Sequence, residues 1–129
     1  MPENGHVIDA SVLLAVVLGE LTAEETETWL AGSCISTVNL SESISKLVDH
    51  NYEAEIITDV LHAMKLDVWP FDREQAERAG LLRASTRQYG LSLGDRACLA
   101  LANDLQRPAA TADKAWAKLD IGIPIKLIR

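Results

Sequence analysis

Short apolar runs alternate along this chain with longer segments of helical periodicity, and this alternation restricts the possible folds more than any other feature. The runs predict strands at His6–Asp9, Cys34–Thr37, Leu66–Trp69, Ala109–Ala112 and Ile123–Ile128. Helical segments separate most of these strands, and a strand that returns to its sheet through a helix runs parallel to the strand before it. The sequence therefore predicts an α/β fold in which helices cover a central parallel sheet.

The helical segments are defined by the spacing of their apolar residues and by the residues that end them. They are predicted at Val12–Leu18, Ala23–Ala31, Leu40–Asn51, Tyr52–Met64, Arg73–Tyr89, Gly94–Leu105 and Lys114–Leu119. Gly32 and Gly90 are predicted to end the helices before them, because glycine readily adopts the left-handed conformation at a helix C-terminus. No repeat, low-complexity tract or linker interrupts the 129 residues, so one domain over residues 1–129 is expected.

Four acidic residues lie where predicted strands give way to helices. They are Asp9, Glu42, Asp95 and Asp113. The carboxyl ends of parallel strands meet at one edge of a sheet, where the ligands of such folds bind. Carboxylates gathered there repel one another unless a cation intervenes. We therefore predict a divalent-metal site at this edge, and such sites usually serve phosphate chemistry.

Each acid also has a structural interpretation that requires no metal. Aspartate is among the best N-cap residues, so Asp9 and Asp113 can cap the helices that follow them. Asp95 fits a capping box with Ser92, and Glu42 can be an ordinary solvated residue. These interpretations explain each position separately, but they do not explain why acids recur at one edge of the sheet.

Two hydroxyl residues flank these acids. Ser11 follows Asp9, and Thr111 precedes Asp113. Their hydroxyl groups can either donate to a carboxylate of the site or serve only as helix-start residues.

The net charge of −7 is unevenly distributed. Residues 1–60 contain one basic residue, Lys46, and eleven acidic residues, whereas residues 61–129 contain eleven basic and eight acidic residues. Such asymmetry marks either an interaction surface or a solvated face. No charge-free apolar stretch approaches the ~20 residues of a membrane span. Acidic residues flank the first apolar run, so no signal peptide is expected and a cytoplasmic location is predicted.

Several other kinds of site do not match the sequence. Cys34 and Cys98 are isolated, which indicates two buried thiols rather than a zinc site or a disulfide framework. The histidines at positions 6, 50 and 62 have no partner at metal-binding spacing. Neither GxxxxGK[ST] nor GxGxxG occurs, so the common nucleotide-binding motifs are absent.

Together, HVIDASVLLAVVLGE, the helix with Glu42, LSLGDRACLALA and TADKAW resemble the PIN-domain ribonuclease toxins of bacterial VapBC toxin–antitoxin pairs. The resemblance runs from Val7 to the last strand, in the family's usual order. It implies a three-layer α/β/α sandwich with a five-stranded parallel sheet ordered 3-2-1-4-5. It also implies an Mg²⁺- or Mn²⁺-dependent endoribonuclease that forms a homodimer and is neutralised by a cognate antitoxin.

The resemblance also assigns roles to individual residues. Asp9, Glu42, Asp95 and Asp113 would be the catalytic acids that hold the metal, and Thr111 matches an active-site hydroxyl of the family. Basic residues would contact the phosphates of the RNA substrate. The candidates are Arg73, Arg83, Arg87, Arg96 and Lys114.

Three alternatives remain open at the level of sequence. The chain can be a housekeeping PIN nuclease that processes RNA without an antitoxin, or a non-catalytic binding module whose acids only cap helices. It can also be a receiver-like signalling domain, for which TADK supplies a threonine and a lysine. That reading lacks paired acids at Asp9 and an aspartate at the end of Leu66–Trp69. Metal binding and RNA cleavage that are lost on Asp9→Asn or Asp95→Asn distinguish the nuclease from the others.

Overall fold

The computed structural model describes residues 5–129 and contains a five-stranded parallel sheet. The strands are β1 (Val7–Ile8), β2 (Cys34–Ser36), β3 (Asp67–Trp69), β4 (Ala109–Thr111) and β5 (Ile125–Leu127), in the order β3-β2-β1-β4-β5. The parallel sheet and the strand order expected from the resemblance are confirmed. Pro124 directly precedes β5, so its missing N–H interrupts no bond within that strand. Residues 1–4 of the expected 1–129 domain lie outside the described residues.

Most of the predicted helices are present, with ends that differ from the predicted ones by at most three residues. The helices are α1 (Ala10–Val17), α2 (Ala23–Leu30), α3 (Thr37–Asp49), α4 (Ala54–Ala63), α5 (Arg73–Leu81), α6 (Arg83–Thr86) and α7 (Leu93–Leu105). Asn51, with a φ of 67°, separates α3 from α4, and Gly90, with a φ of 68°, ends the segment before α7. No helix within residues 5–129 has both the length and the apolar character needed to cross a lipid bilayer.

The single helix predicted over Arg73–Tyr89 is wrong. Three segments occupy that range, namely α5, α6 and a 3₁₀ helix at Arg87–Tyr89. Thr86 is fully buried, and its hydroxyl donates to the carbonyl oxygen of Leu82 at 2.8 Å. A hydroxyl that bonds the carbonyl four residues earlier often bends a helix, and Thr86, with a φ of −116°, is the residue at which the α-helix gives way to the 3₁₀ helix. The short helix predicted at Lys114–Leu119 is present as a 3₁₀ helix at Lys114–Lys118.

Each face of the sheet has its own hydrophobic core, because neighbouring residues of a strand point to opposite faces. Ile8 and Ile35 pack on one face with apolar residues of α1, α3 and α4. Val7 and Cys34 pack on the other face with residues of α7 and with Trp116. Helices therefore cover both faces, and the predicted three-layer α/β/α sandwich is confirmed.

Three helices begin near the carboxyl ends of the inner strands. Helix α1 starts directly after β1 with Asp9 as its N-cap, and α3 starts directly after β2 with Ser36 as its N-cap. The third is α7, which packs against α3 and whose first turn meets that of α3, where the Asn39 amide donates to the Gly94 carbonyl. The first turns of these helices and the end of β4 therefore lie around one edge of the sheet.

Candidate active site

Asp9 is the most enclosed acid at this edge, with only 5% of its surface exposed. Its Oδ1 accepts hydrogen bonds from the Ser11 hydroxyl at 2.6 Å and from the backbone N–H of Val12 at 3.1 Å. Its Oδ2 accepts from the Thr111 hydroxyl at 2.6 Å. Both expectations about this residue hold, since Asp9 caps α1 and is also bonded by the two hydroxyl residues.

Burial makes the charged form of Asp9 costly. Desolvation raises the pKa of the Asp9 carboxyl above its usual value, although its three hydrogen bonds act in the opposite direction. The negative charge of Asp95 raises the same pKa further, which reports that the two carboxylates lie within electrostatic range. A cation at this position would neutralise the negative charge of Asp9, which the protein and the solvent stabilise poorly.

The end of β4 joins the same network through Thr111 and Ser11. The Thr111 hydroxyl accepts a hydrogen bond from the backbone N–H of Asp113 at 3.0 Å while it donates to Asp9. The Ser11 hydroxyl accepts from the backbone N–H of Ala112 at 2.8 Å. Asp113 is exposed, and its Oδ1 accepts from the backbone N–H of Ala115 at 3.0 Å, as expected for a cap.

Glu42 is half-buried and has a specific partner, so it is not an ordinary solvated residue. Its Oε1 accepts a hydrogen bond from the amide Nδ2 of Asn39 at 3.0 Å. The same Nδ2 donates to the carbonyl oxygen of Gly94 at 3.0 Å. A single buried amide therefore connects the Glu42 carboxylate on α3 with the first turn of α7, next to Asp95.

Asp95 forms the capping box that the sequence predicted. Its Oδ2 accepts from the backbone N–H of Ser92 at 2.9 Å, and its own N–H donates to the Ser92 hydroxyl at 3.1 Å. The residue is half-buried in the first turn of α7.

The buried thiol of Cys98 lies within electrostatic range of three of the four acids. Cys98 is fully buried one turn after Asp95. Burial raises the pKa of this thiol well above its usual value, and the negative charges of Asp9, Asp95 and Glu42 contribute in the same direction. Asp9, Asp95 and Glu42, from three different segments, therefore act electrostatically on the same buried group.

The carboxylates are nevertheless not gathered into a ready-made ligand set. Among residues 5–129, no group of three or more Asp, Glu, His or Cys side chains is placed so that it could hold a metal ion. Each carboxylate is instead bonded to a neighbouring donor of its own segment or, for Asp9, also to Thr111. These bonds use one carboxylate oxygen each of Asp95, Glu42 and Asp113. A cation would have to draw the three side chains closer together, and their second oxygens could then coordinate it.

Several local features fit a hard divalent cation. The donor set consists of carboxylate and hydroxyl oxygens, which Mg²⁺ and Mn²⁺ prefer. Asn39 has only 1% of its surface exposed, and its Oδ1 has no hydrogen-bond partner among residues 5–129. Gly94 has no side chain, and a methyl group there would overlap the end of Glu42. The carboxylate of Glu42 thus occupies space that only glycine leaves free.

Sequence reasoning overlooked Asn39 and Gly94. Asn39 precedes Glu42 by three residues, and side chains at that spacing share one face of a helix, so a local signal was available. Gly94 directly precedes Asp95, but nothing in the sequence indicates that the end of Glu42 lies against it.

Comparisons with known proteins agree with this architecture. The family model of the PIN domain matches residues 6–122. The chain is similar to a DNA-bound VapBC structure from Salmonella typhimurium, with a TM-score of 0.75 and 18% identity over 97% of this chain and 98% of that chain. It is also similar to a toxin–antitoxin complex from Klebsiella pneumoniae, with a TM-score of 0.69, 21% identity and coverage of 97% and 98%. VapBC-5 from Mycobacterium tuberculosis has a TM-score of 0.62, with 22% identity over 98% of both chains. The comparison with curated proteins gives no match.

Proposed function

The chain belongs to the PIN-domain family of nucleases, and we propose that it is a divalent-metal-dependent endoribonuclease that hydrolyses RNA phosphodiester bonds. We further propose that it is the toxin of a type II toxin–antitoxin pair and acts in the cytoplasm. The observation that supports the chemistry best is the buried Asp9 carboxylate, whose pKa is raised by desolvation and by the charge of Asp95. An arrangement of this kind favours the uptake of a cation.

In this proposal the four acids Asp9, Glu42, Asp95 and Asp113 hold Mg²⁺ or Mn²⁺. Such a cation, when bound, supplies Lewis-acid stabilisation of the phosphate charge and a water molecule of lowered pKa. The Ser11 and Thr111 hydroxyls fix the orientation of Asp9, since each donates to one of its oxygens at 2.6 Å. Asn39 holds Glu42 beside the first turn of α7. None of these roles requires a histidine.

The toxin assignment is supported by the solved structures named above, which are VapBC or toxin–antitoxin complexes. The proposed partner is a cognate antitoxin with a basic side chain for the carboxylates and an amphipathic segment for an apolar surface. A homodimer is also proposed. Ile56 and Val60 on α4 are 49% and 39% exposed and are available for such an interface, whereas Val12 and Leu13 on α1 are fully buried within the fold.

The test is Asp95→Asn in an assay of Mg²⁺-dependent RNA cleavage. Asparagine removes the charge but retains an oxygen that can accept from the Ser92 N–H, so the capping box and the fold are expected to survive. Cleavage should be abolished while the circular dichroism spectrum is unchanged. Expression of the wild-type chain without an antitoxin should also arrest growth, and expression of the variant should not.

Glu25→Gln is the matched control, because Glu25 forms the corresponding capping box with Thr22 on α2. The control should cleave RNA at the wild-type rate. If Asp95→Asn also cleaved at that rate, Asp95 would be only a helix cap and the assigned chemistry would be wrong.

A further inference from the structure

An open groove runs along the outer face of α3 and has Glu42 in its wall. Its volume is about 740 Å³. Its lining includes the hydroxyl residues Thr37, Ser41 and Ser45. It also includes an acid, a base and an aromatic residue, namely Glu42, Lys46 and Phe71. The groove therefore extends along α3 from Thr37 to Asp49 and passes one of the proposed metal ligands, Glu42.

The spacing along α3 arranges these residues in two rows. Residues four apart on a helix are neighbours, with about 5–6 Å between their Cβ atoms. Thr37, Ser41 and Ser45 form a row of hydroxyls, and Lys46 lies one turn beyond Glu42 in the adjacent row.

Lys46 is the single basic residue among residues 1–60. It is exposed and forms no salt bridge within the part of the chain that the structure describes. Two of the basic residues considered from sequence are already engaged: Arg73 pairs with Glu77 at 3.0 Å, and the Nη1 of Arg96 donates to the carbonyl oxygen of Ala79 at 2.8 Å. Lys46 is thus a cation that is free to meet a phosphate next to the proposed site.

Phe71 is the only phenylalanine of the chain and forms part of the groove wall. Its backbone N–H donates to the Thr37 hydroxyl at 3.1 Å, which ties the segment after β3 to the first turn of α3. The residue is half-buried, so part of its side chain remains accessible. An accessible aromatic ring beside a cation is the combination that single-stranded nucleic acids use, because bases stack on the ring while the cation contacts the backbone.

We propose that this groove binds unpaired RNA nucleotides adjacent to the scissile phosphate. Lys46 contacts the neighbouring phosphate, the hydroxyl row of α3 contacts the backbone, and a base stacks on Phe71. A base stacked on Phe71 has left its own helical stack, so the substrate is single-stranded at the cleavage position. The inference rests on the proposed nuclease function, which supplies the position of the scissile phosphate at Glu42.

The charges of the groove add a condition. Glu42 and Asp49 both line it with Lys46, so its net charge is negative while Glu42 is uncompensated. A phosphate backbone is therefore repelled until a cation compensates Glu42, and RNA binding in the groove is expected to require the divalent ion.

The experiment compares Lys46→Gln and Phe71→Leu with the wild-type chain on a single-stranded RNA oligonucleotide and on the same sequence in a duplex. Steady-state cleavage is measured with Mn²⁺, and binding is measured by fluorescence anisotropy with Ca²⁺ in place of Mn²⁺. Both variants should raise KM and the dissociation constant of the single strand at least about fivefold. Fivefold corresponds to the smallest loss usually seen when one base–aromatic stack is removed. The value of kcat should stay within about twofold, and Mn²⁺ affinity by calorimetry should be unchanged, because neither residue is a proposed ligand.

Lys65→Gln and Tyr52→Leu are the matched controls. Lys65 precedes β3 at the opposite edge of the sheet, and Tyr52 follows the C-terminal end of α3. Both controls should bind and cleave the single strand as the wild type does.

The outcomes separate the two proposals. If the wild-type chain cleaves RNA but Lys46→Gln and Phe71→Leu keep the wild-type KM and dissociation constant, the groove assignment is wrong and the nuclease assignment stands. If the wild-type chain cleaves no RNA in Mn²⁺, the nuclease assignment is wrong. In that case, loss of single-strand binding in Phe71→Leu still supports the groove, and unchanged binding overturns it.

Discussion

Gly94→Ala should separate the stability of this protein from its metal binding. Gly94 lies in the first turn of α7, and the ideal position of a β-carbon there overlaps the terminal atoms of Glu42. The obstacle is the far end of a flexible side chain rather than backbone, so Glu42 can move aside. The substitution should therefore displace one proposed metal ligand while leaving the helix intact.

The effect on folding should be small because two terms oppose each other. Alanine in place of a helical glycine stabilises by roughly 0.5–1 kcal/mol. Moving Glu42 removes its hydrogen bond from Asn39, which is 3.0 Å long and part-buried, and such a bond contributes about 0.5–1.5 kcal/mol. The free energy of unfolding without metal should therefore stay within about 1 kcal/mol of the wild-type value.

The effect on metal binding should be larger. Loss of even an outer-shell partner of a metal site commonly weakens binding about 10–100-fold, and here a proposed ligand itself is displaced. At a Mn²⁺ concentration about 100 times its dissociation constant, the wild-type chain gains about 2.7 kcal/mol of stability. A variant with tenfold weaker binding gains only about 1.4 kcal/mol at the same concentration.

Urea unfolding with and without Mn²⁺ measures both quantities. Gly80→Ala is the matched control, since Gly80 is a helical glycine of α5 at which a β-carbon meets no atom within 4 Å. The control should gain stability from the helix and keep the full Mn²⁺ effect. A full Mn²⁺ gain in Gly94→Ala would refute the assignment of Glu42 as a ligand. A loss above about 2 kcal/mol without metal would show that the contact is rigid.

Three further predictions concern the buried acid, its supporting amide and the oligomeric state. Burial raises the pKa of Asp9 above its ordinary value of 3.8. As the pH rises from 3.8 through this raised pKa, ionisation of Asp9 lowers the free energy of unfolding of the metal-free protein. In urea unfolding without divalent ions, Asp9→Asn should therefore be more stable than the wild type at pH 7, by on the order of 1 kcal/mol. The difference should shrink toward pH 4, and equal stability of the two proteins at pH 7 would contradict this. Asn39→Ala should cost about 1–3 kcal/mol, because it removes the two hydrogen bonds that the Asn39 amide donates to Glu42 and to the Gly94 carbonyl, each worth about 0.5–1.5 kcal/mol. It should also weaken Mn²⁺ binding about 10–100-fold by calorimetry. The control is Ser43→Ala, which removes a buried hydroxyl that donates to the Asn39 carbonyl and should leave Mn²⁺ binding unchanged. If the two variants bound Mn²⁺ equally well, Asn39 would have no role in the metal site. Sedimentation at micromolar concentration should give a dimer, and a mass of 14.1 kDa would show a monomer instead.

Much of the fold was readable from local sequence. Short apolar runs separated by helical segments require parallel crossovers, and parallel crossovers place the carboxyl ends of the strands at one edge of the sheet. The capping roles of Asp9, Asp95 and Asp113 were also readable, because a cap depends on donors within three residues of the acid. The continuity of Arg73–Tyr89 was not readable in the same way, since the change to a 3₁₀ helix occurs at Thr86, a buried residue whose burial periodicity does not report.

What the sequence by itself determined is therefore the order of the strands and helices and the placement of the acids near one edge. Only the tertiary structure decided which side chains meet there. The Thr111 hydroxyl reaches Asp9 across 102 positions, the Asn39 amide reaches the Gly94 carbonyl across 55, and the Thr37 hydroxyl receives the Phe71 N–H across 34. The physical reason is that these contacts depend on how closely α3 packs against α7 and on where the chain returns to the sheet. Packing distances of this kind are set by the whole core and have no local signature in the chain.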